Sequence, residues 1–280
     1  MHSKLRSPLL SALPLLLAPL TACVILPANY DDDGPDEHEP EWGYDGEIGP
    51  SHWGDLDDAW ATCGDGTEQS PIDIVPDDIV EGPGLPPTLS WGTTSLFAYN
   101  PGYYLRYEVD PGSTMVIGAE TFHLLQFHFH ALSEHTVEGE HSAIEIHFVH
   151  ASQDDATRLA VLALFVSSDA EDGVAGVFDD GGSLHFRDAI ALPESHQPTD
   201  LDGDVDLGAT FSSLALESAV HYSGSLTTPP CTEGVEFFVL PQALYMLPAD
   251  AAAFEALFDH NYRPVQPLNG RVVSSFGMLE

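Results

Sequence analysis

Beyond residue 4 the chain contains no lysine. Its 280 residues hold seven basic side chains against 45 acidic ones, a formal charge of −38. So few cations cannot build a basic face, which excludes nucleic acid as a partner. Such a surface keeps a protein soluble but strains it by self-repulsion, least at high salt. It reads either as adaptation to a saline habitat or as an ordinary acidic, solvated surface. Cysteine is scarce too, with three residues. No second linker and no internal repeat follows Trp42. What is abundant is apolar surface, 43% of residues, enough for one sizeable core.

The N-terminus supplies the long hydrophobic run. Residues 1–23 read MHSKLRSPLLSALPLLLAPLTAC. Lys4 and Arg6 precede an apolar stretch, and small residues precede Cys23, the layout of an export signal. "LTAC", Leu20 to Cys23, resembles the bacterial lipobox, whose cysteine is lipidated after cleavage. A transmembrane anchor is the other reading, but Pro14, Pro19 and Pro27 interrupt a run of marginal length for a span of about 20 residues. The expectation is a lipoprotein signal over 1–22, an acidic tether over 23–41 and one domain over 42–280. The tether contains "DDDGPDEHEPE", too charged and proline-rich to fold alone. Without the leader, five arginines face 45 carboxylates, or −40. Membrane contact is then expected only through lipid on Cys23, in the periplasm or cell envelope. Val24, rather than aspartate, favours the outer membrane.

Export leaves Cys63 and Cys231 as a pair, either two buried thiols or, as the compartment favours, a disulfide. A bridge would close a loop of well over 100 residues and add stability on the order of 4 kcal/mol.

Short β-like runs punctuated by Gly, Pro, Asn and Asp fill the remainder. They include "YYLRYEV" (103–109), "TFHLLQFHFH" (121–130), "AIEIHFVH" (143–150), "RLAVLALFV" (158–166) and "VEFFVL" (235–240). "PADAAAFEALF" (248–258) predicts a helix, with proline and acid at its start. A shorter helix is expected near Ser212 to Ala219. "DLDGDVD" (200–206) has oxygen ligands at alternating positions, as calcium loops do. It lacks a clear later glutamate and reads as an acidic turn.

"QFHFH" (126–130) carries the chemistry. On a strand, Gln126, His128 and His130 share one face while Phe127 and Phe129 share the other. The two imidazoles lie roughly 6.5–7 Å apart along the strand and can tilt onto one metal ion. One His-x-His is also what a core with satisfied histidines looks like. "EIHFVH" adds weight, because Glu145 and His147 share a face by the same alternation. Three histidines would leave the fourth tetrahedral position of Zn²⁺ open, the arrangement of a catalytic site. Gln126 and Glu145, one strand period from a ligand each, are placed to hold the outer ring nitrogens.

Several segments together resemble the α-class carbonic anhydrases over nearly all of residues 42–280. They are "WGYDGEIGPSHW" (42–53), "QSPIDI" (69–74), "QFHFH" (126–130), "SEHTVEGEHSAIEIHFVH" (133–150), "GSLTTPPCTEGVEFFVL" (224–240) and "NYRPVQPLNGR" (261–271), in the family's order and spacing. The resemblance implies a mainly β fold with a few short helices, built around a large, mostly antiparallel, twisted central sheet. It implies one Zn²⁺ per chain on His128, His130 and His147. Gln126 would hold His128, Glu145 would hold His147, and the main-chain carbonyl of Asn261 would hold His130. Glu134 and Thr227 match the pair that gates the metal-bound water. Cys63 and Cys231 fall where exported members have their bridge.

The implied activity is reversible hydration of CO2 to bicarbonate and a proton. In carbonic anhydrases zinc brings the pKa of bound water from 15.7 to about 7. The hydroxide attacks CO2, and Thr227 would accept its hydrogen while donating to Glu134. By the same resemblance Val149, Val161, Leu226, Val235, Phe237 and Thr228 would line the substrate pocket. Taken alone, the five apolar ones are ordinary core positions.

"YNPGYY" (99–104) departs from the pattern. Tyr103 and Pro101 stand where fast members carry a proton-shuttling histidine and a polar neighbour. Tyrosine, with an ordinary pKa near 10, is a poor relay at neutral pH, and other histidines, His52 among them, are the alternatives. Two further readings of the chain are a zinc-binding or adhesive surface protein without catalysis, and an esterase using the same hydroxide. All three histidines, Glu134 and Thr227 are present, against the first. No nucleophile elbow or triad supports the second. The sequence carries no signal of oligomeric state.

Overall fold

A computed structural model describes residues 41–82, 84–171, 173–178 and 183–276. The leader, Cys23 and all of the tether but Glu41 lie outside the described residues. Among the described residues no helix is long and apolar enough to cross a membrane.

Among the described residues one thirteen-stranded sheet organises the fold. Its main strands are β1 (Thr93–Asn100), β2 (Leu105–Val109), β3 (Glu120–His130), β4 (Ile144–Ser152), β5 (Leu159–Ser167), β6 (Ser195–Asp206), β7 (Val220–Ser225) and β8 (Glu233–Met246). Their order is β6-β1-β2-β3-β4-β5-β8-β7, and the edge beyond β7 is completed by Ser274–Ser275 and Val80–Glu81. Most pairings are antiparallel. The parallel ones are β5 with β8, Gly173–Phe178 with β8, and the short Ser274–Val80 pairing.

The central strands are buried on both faces, which is why "RLAVLALFV" runs apolar without alternation. On one face Phe127, Phe129, Phe148, Leu162, Leu164 and Phe238 join a large core with Phe186 and Phe254. Phe254 comes from α1 (Pro248–Leu257), the helix predicted from its proline and early acid. On the other face Val149, Val161, Ala163, Phe237 and Val239 form a second core. Period-2 alternation thus puts the Phe127/Phe129 pair into the first core and the histidines onto the opposite face.

Three local expectations are corrected. "YYLRYEV" becomes strand only from Leu105, because Tyr103 packs edge-on against Trp42 and Tyr104 instead. The region 212–219 is not one helix. A turn of helix over Leu207–Thr210 is started by the Asp206 carboxylate accepting from Ala209 N, and a separate 3-10 turn covers Leu216–Ser218. Ser212 and Ser218 donate to the carbonyls of Ala209 and Ala215, closing each turn locally. Residues 200–206 are not a free turn but the end of edge strand β6. The strand slips register on β1 between Asp200 and Asp204, where Gly203 takes a φ of 115°.

Candidate metal centre

Register across the sheet builds the centre. His128 on β3 faces His147 on β4 directly, and Glu145 faces His130. The same row continues outward through Arg106 on β2 to Tyr99 on β1. The imidazoles of His128, His130 and His147 have ring centroids 4.8–5.3 Å apart. One ligand nitrogen from each lies within 4.8 Å of the others, and all three residues are buried.

Each ring is oriented from behind. His128 Nδ1–H donates to Gln126 Oε1 at 2.9 Å. His130 Nδ1–H donates to the Asn261 carbonyl at 2.8 Å. His147 Nε2–H donates to Glu145 Oε1 at 2.8 Å. The inward atoms are therefore Nε2, Nε2 and Nδ1, with lone pairs aimed at a common point. Burial pushes His128 and His130 below the ordinary histidine range, so both rings are neutral donors. Burial also pushes His147 down, but the charge and hydrogen bond of Glu145 outweigh it and the ring ends above its usual range. Burial pushes Glu145 up. The charges and hydrogen bonds of His135 and His147 more than reverse this and hold its carboxyl well below the usual range.

Glu134 is fully buried. Its Oε1 accepts from Arg263 N–H at 2.8 Å. Its Oε2 has no hydrogen-bond partner among the described residues and lies 3.4 Å from His130 Nε2 and 3.8 Å from His147 Nδ1. The buried His130 Nε2 is likewise unpartnered. Three converging imidazole nitrogens, one of them orphaned, beside an orphaned carboxylate oxygen fit a divalent metal with an open position. Thr227 is buried beside them, but no hydrogen bond joins it to Glu134 among the described residues.

Above the histidines lies a cavity of about 10 Å³, room for one water-sized molecule. Val149, Val161, Leu226, Thr227, Thr228 and Phe237 line it together with His128 and His147. Val235 does not line it but packs within the second core. Tyr103 is half-buried among aromatic rings, and burial pushes its phenol up to about 12. His52 is exposed and precedes a short helix (Trp53–Leu56).

Sequence reasoning missed the layer beneath. Glu145 also accepts from His135, through Oε2 from its N–H at 2.8 Å and through Oε1 from Nδ1 at 2.6 Å. His135 Nε2 meets Tyr222 OH at 2.6 Å, and Tyr222 OH meets Ser70 Oγ at 2.8 Å. His135, Glu145 and His147 also cluster like metal ligands, but these hydrogen bonds account for the cluster. Arg263, 1% exposed, donates to Gln69 Oε1 and to the carbonyls of Ser70 and Cys63. These partners come from positions up to 200 residues apart, so no local spacing points to them. Cys63 and Cys231 form a disulfide, and Cys231 N–H donates to the Thr228 carbonyl at 2.9 Å.

A buried three-histidine pocket on a large twisted sheet defines a class, the metalloenzymes that keep one coordination position for substrate or water. Comparison with known proteins narrows it. The family model described as eukaryotic-type carbonic anhydrase matches residues 48–276. A carbonic anhydrase of Nostoc sp. is 36% identical over 235 residues, 83% of this chain and 84% of that protein. One from Pectobacterium carotovorum is 35% identical over 235 residues, 83% and 89% of the two chains. Among solved structures, an α-carbonic anhydrase of Thermovibrio ammonificans, in complex with sulfanilamide, superposes with a TM-score of 0.74 at 34% identity, covering 85% of this chain and all of that one. The chain belongs to the α-type carbonic anhydrase family and is an enzyme of that family.

Proposed function

We propose that the protein catalyses reversible hydration of CO2 to bicarbonate and a proton, with one Zn²⁺ held by His128, His130 and His147. The carrying observation is the convergence of three imidazole nitrogens within 4.8 Å, each ring fixed by its own partner. A zinc ion there supplies a hydroxide nucleophile at neutral pH. The chain's own residues do the remainder. Gln126, Asn261 and Glu145 fix the tautomers of the three rings. Glu134 keeps one oxygen turned toward the histidines because Arg263 N–H occupies the other. Thr227, at the cavity wall, is the hydroxyl closest in role to orienting the nucleophile through that free oxygen. Val149, Val161, Leu226 and Phe237 give an apolar recess for apolar CO2, with Thr228 at its edge.

Proton release is slow in this reading. The Tyr103 phenol, pushed up to about 12 by burial, neither accepts nor donates a proton readily at pH 7. We further propose export, which the disulfide supports because it suits an oxidising compartment, with a folded domain over 42–280 and a lipid on Cys23. The outer membrane is the proposed destination, on the strength of Val24.

The test is stopped-flow CO2 hydration across a series of buffer concentrations, with metal analysis. One zinc per chain and turnover rising with buffer is the expected result. One zinc with no hydration at any buffer concentration would sink the enzymatic reading and leave a zinc-binding module.

A further inference from the structure

Charge is missing from one surface of this very acidic chain. Charged residues make up 19% of the sequence, yet none lies between Glu81 and Arg106 and none between Asp206 and Glu217. Buried strands such as β5 are free of charge as well, but these two stretches reach the surface. Leu85, Thr88, Ser90, Ser212 and Ser213 are all exposed. The two stretches meet at a cavity of about 250 Å³, far above the roughly 10–15 Å³ that one water fills. Leu89, Trp91, Leu207, Phe211, Leu214 and Leu216 give it an apolar lining, which Ser90 and Ser212 complete. The cavity is remote from the metal centre. Trp91, Leu207 and Phe211 belong to the first core, on the sheet face opposite the histidines.

Beside this hole stands a knob. Leu85, at 83% exposure, is the most exposed large apolar side chain among the described residues. Gly84 packs closely on Phe276, since a Cβ there would come within 3.2 Å of the ring, and this fixes where the segment starts. Pro86 and Pro87 follow and favour an extended link to Leu89. Four residues span at most about 14 Å, so Leu85 and the cavity lie side by side. At its exposure Leu85 does not fill the cavity of its own chain.

We propose that this surface is a two-fold interface between copies of the chain, with the Leu85 of each copy entering the cavity of the other. A knob and a hole on one surface are self-complementary, as a closed pair requires. Charge points to the same occupant. Two chains of net charge −38 repel wherever carboxylates face one another. A face without carboxylates is where they can meet with least repulsion, and an apolar side chain buried there supplies the attraction. The pairing leaves the histidine face open and is independent of the proposed activity.

The experiment co-expresses two differently tagged full chains, Leu85→Cys in one and either Ser90→Cys or Ser212→Cys in the other, and treats intact cells with a short bismaleimide. Cross-linked heterodimer is expected with either partner, at about tenfold above a control that replaces Leu85→Cys with Leu257→Cys. Leu257 is an exposed leucine on α1. Adding Thr88→Glu to both chains places carboxylates in the contact and should cut the yield by about tenfold. Expression level and circular dichroism report folding of each variant. Yields equal to the control with both partners, or a yield that Thr88→Glu leaves unchanged, would overturn the pairing. So would Leu85→Cys joined instead to a different protein, which would assign the face to that partner.

Discussion

The Glu145 carboxylate shows how much a single side chain is asked to do. It accepts from His147, from the His135 ring and from the His135 main chain. Replacing it with alanine removes the partner that fixes His147 and leaves two buried imidazoles without their acceptor. Metal affinity should fall by about 10–100-fold, measured by competition with a chromophoric chelator. His128→Ala should go further and abolish stoichiometric zinc, since two histidines cannot hold the ion alone. Tyr103 provides a gain-of-function test. Tyr103→His should raise turnover at low buffer by about tenfold and flatten its dependence on buffer concentration. An unchanged buffer dependence would mean that protons leave by another path. At this scale the strand alternation in "QFHFH" and "EIHFVH" made the clustering of three histidines legible, because period 2 fixes which side chains share a face. The hydrogen bonds from Arg263 and Tyr222 were illegible, because each depends on segments brought together only by the finished sheet.

Strand β4 shows the same split at the scale of an element. Its odd-numbered face from Glu145 to Val149 serves the centre, while Ile144, Ile146 and Phe148 enter the large core. After a register shift between Val149 and His150, it also buries an imidazole. His150 is fully buried, donates to the Phe148 carbonyl at 2.9 Å and lies parallel to Trp91. Burial pushes it down to about 4. Its folded value lies below its unfolded value near 6.5. The neutral form is therefore favoured in the fold, and no stability is lost above about pH 6.5. Between pH 6.5 and 4 the unfolded chain takes up the proton first, and stability falls by about 3 kcal/mol in total. Urea unfolding of the wild type at pH 7 and pH 5 should show part of that loss. His150→Leu should lessen the difference between the two pH values. An equal drop in both proteins would assign the acid sensitivity to other groups. Alternation along β4 puts His150 on the Phe148 face, but its depth could not be read from "HFVH", because it depends on Trp91, a cover from a segment distant in sequence.

At the scale of the whole molecule, two long-range terms act on one loop. The disulfide joins residues 168 positions apart, and the Cys231 end is hydrogen-bonded to Thr228 at the cavity. Cross-linking so distant a pair limits the unfolded chain and stabilises the fold by roughly 4–5 kcal/mol in the chain-entropy account. Against it stands the mutual repulsion in a chain with 45 acidic and seven basic residues, which weakens as the screening length falls from about 10 Å at 0.1 M salt to about 3 Å at 1 M. The two terms act on different states, so they separate experimentally. Reduction acts by freeing the unfolded chain and should lower stability by a similar amount at either salt concentration. Salt acts on the compact, charged fold and should raise stability in both oxidised and reduced protein. The check is urea unfolding of wild type and of Cys63→Ser/Cys231→Ser at 0.1 M and 1 M sodium chloride. Parallel shifts establish two independent terms. If salt restores the reduced form to the stability of the oxidised one, the bridge acts mainly by holding acidic segments together against their own charge, and the chain-entropy account of this disulfide fails.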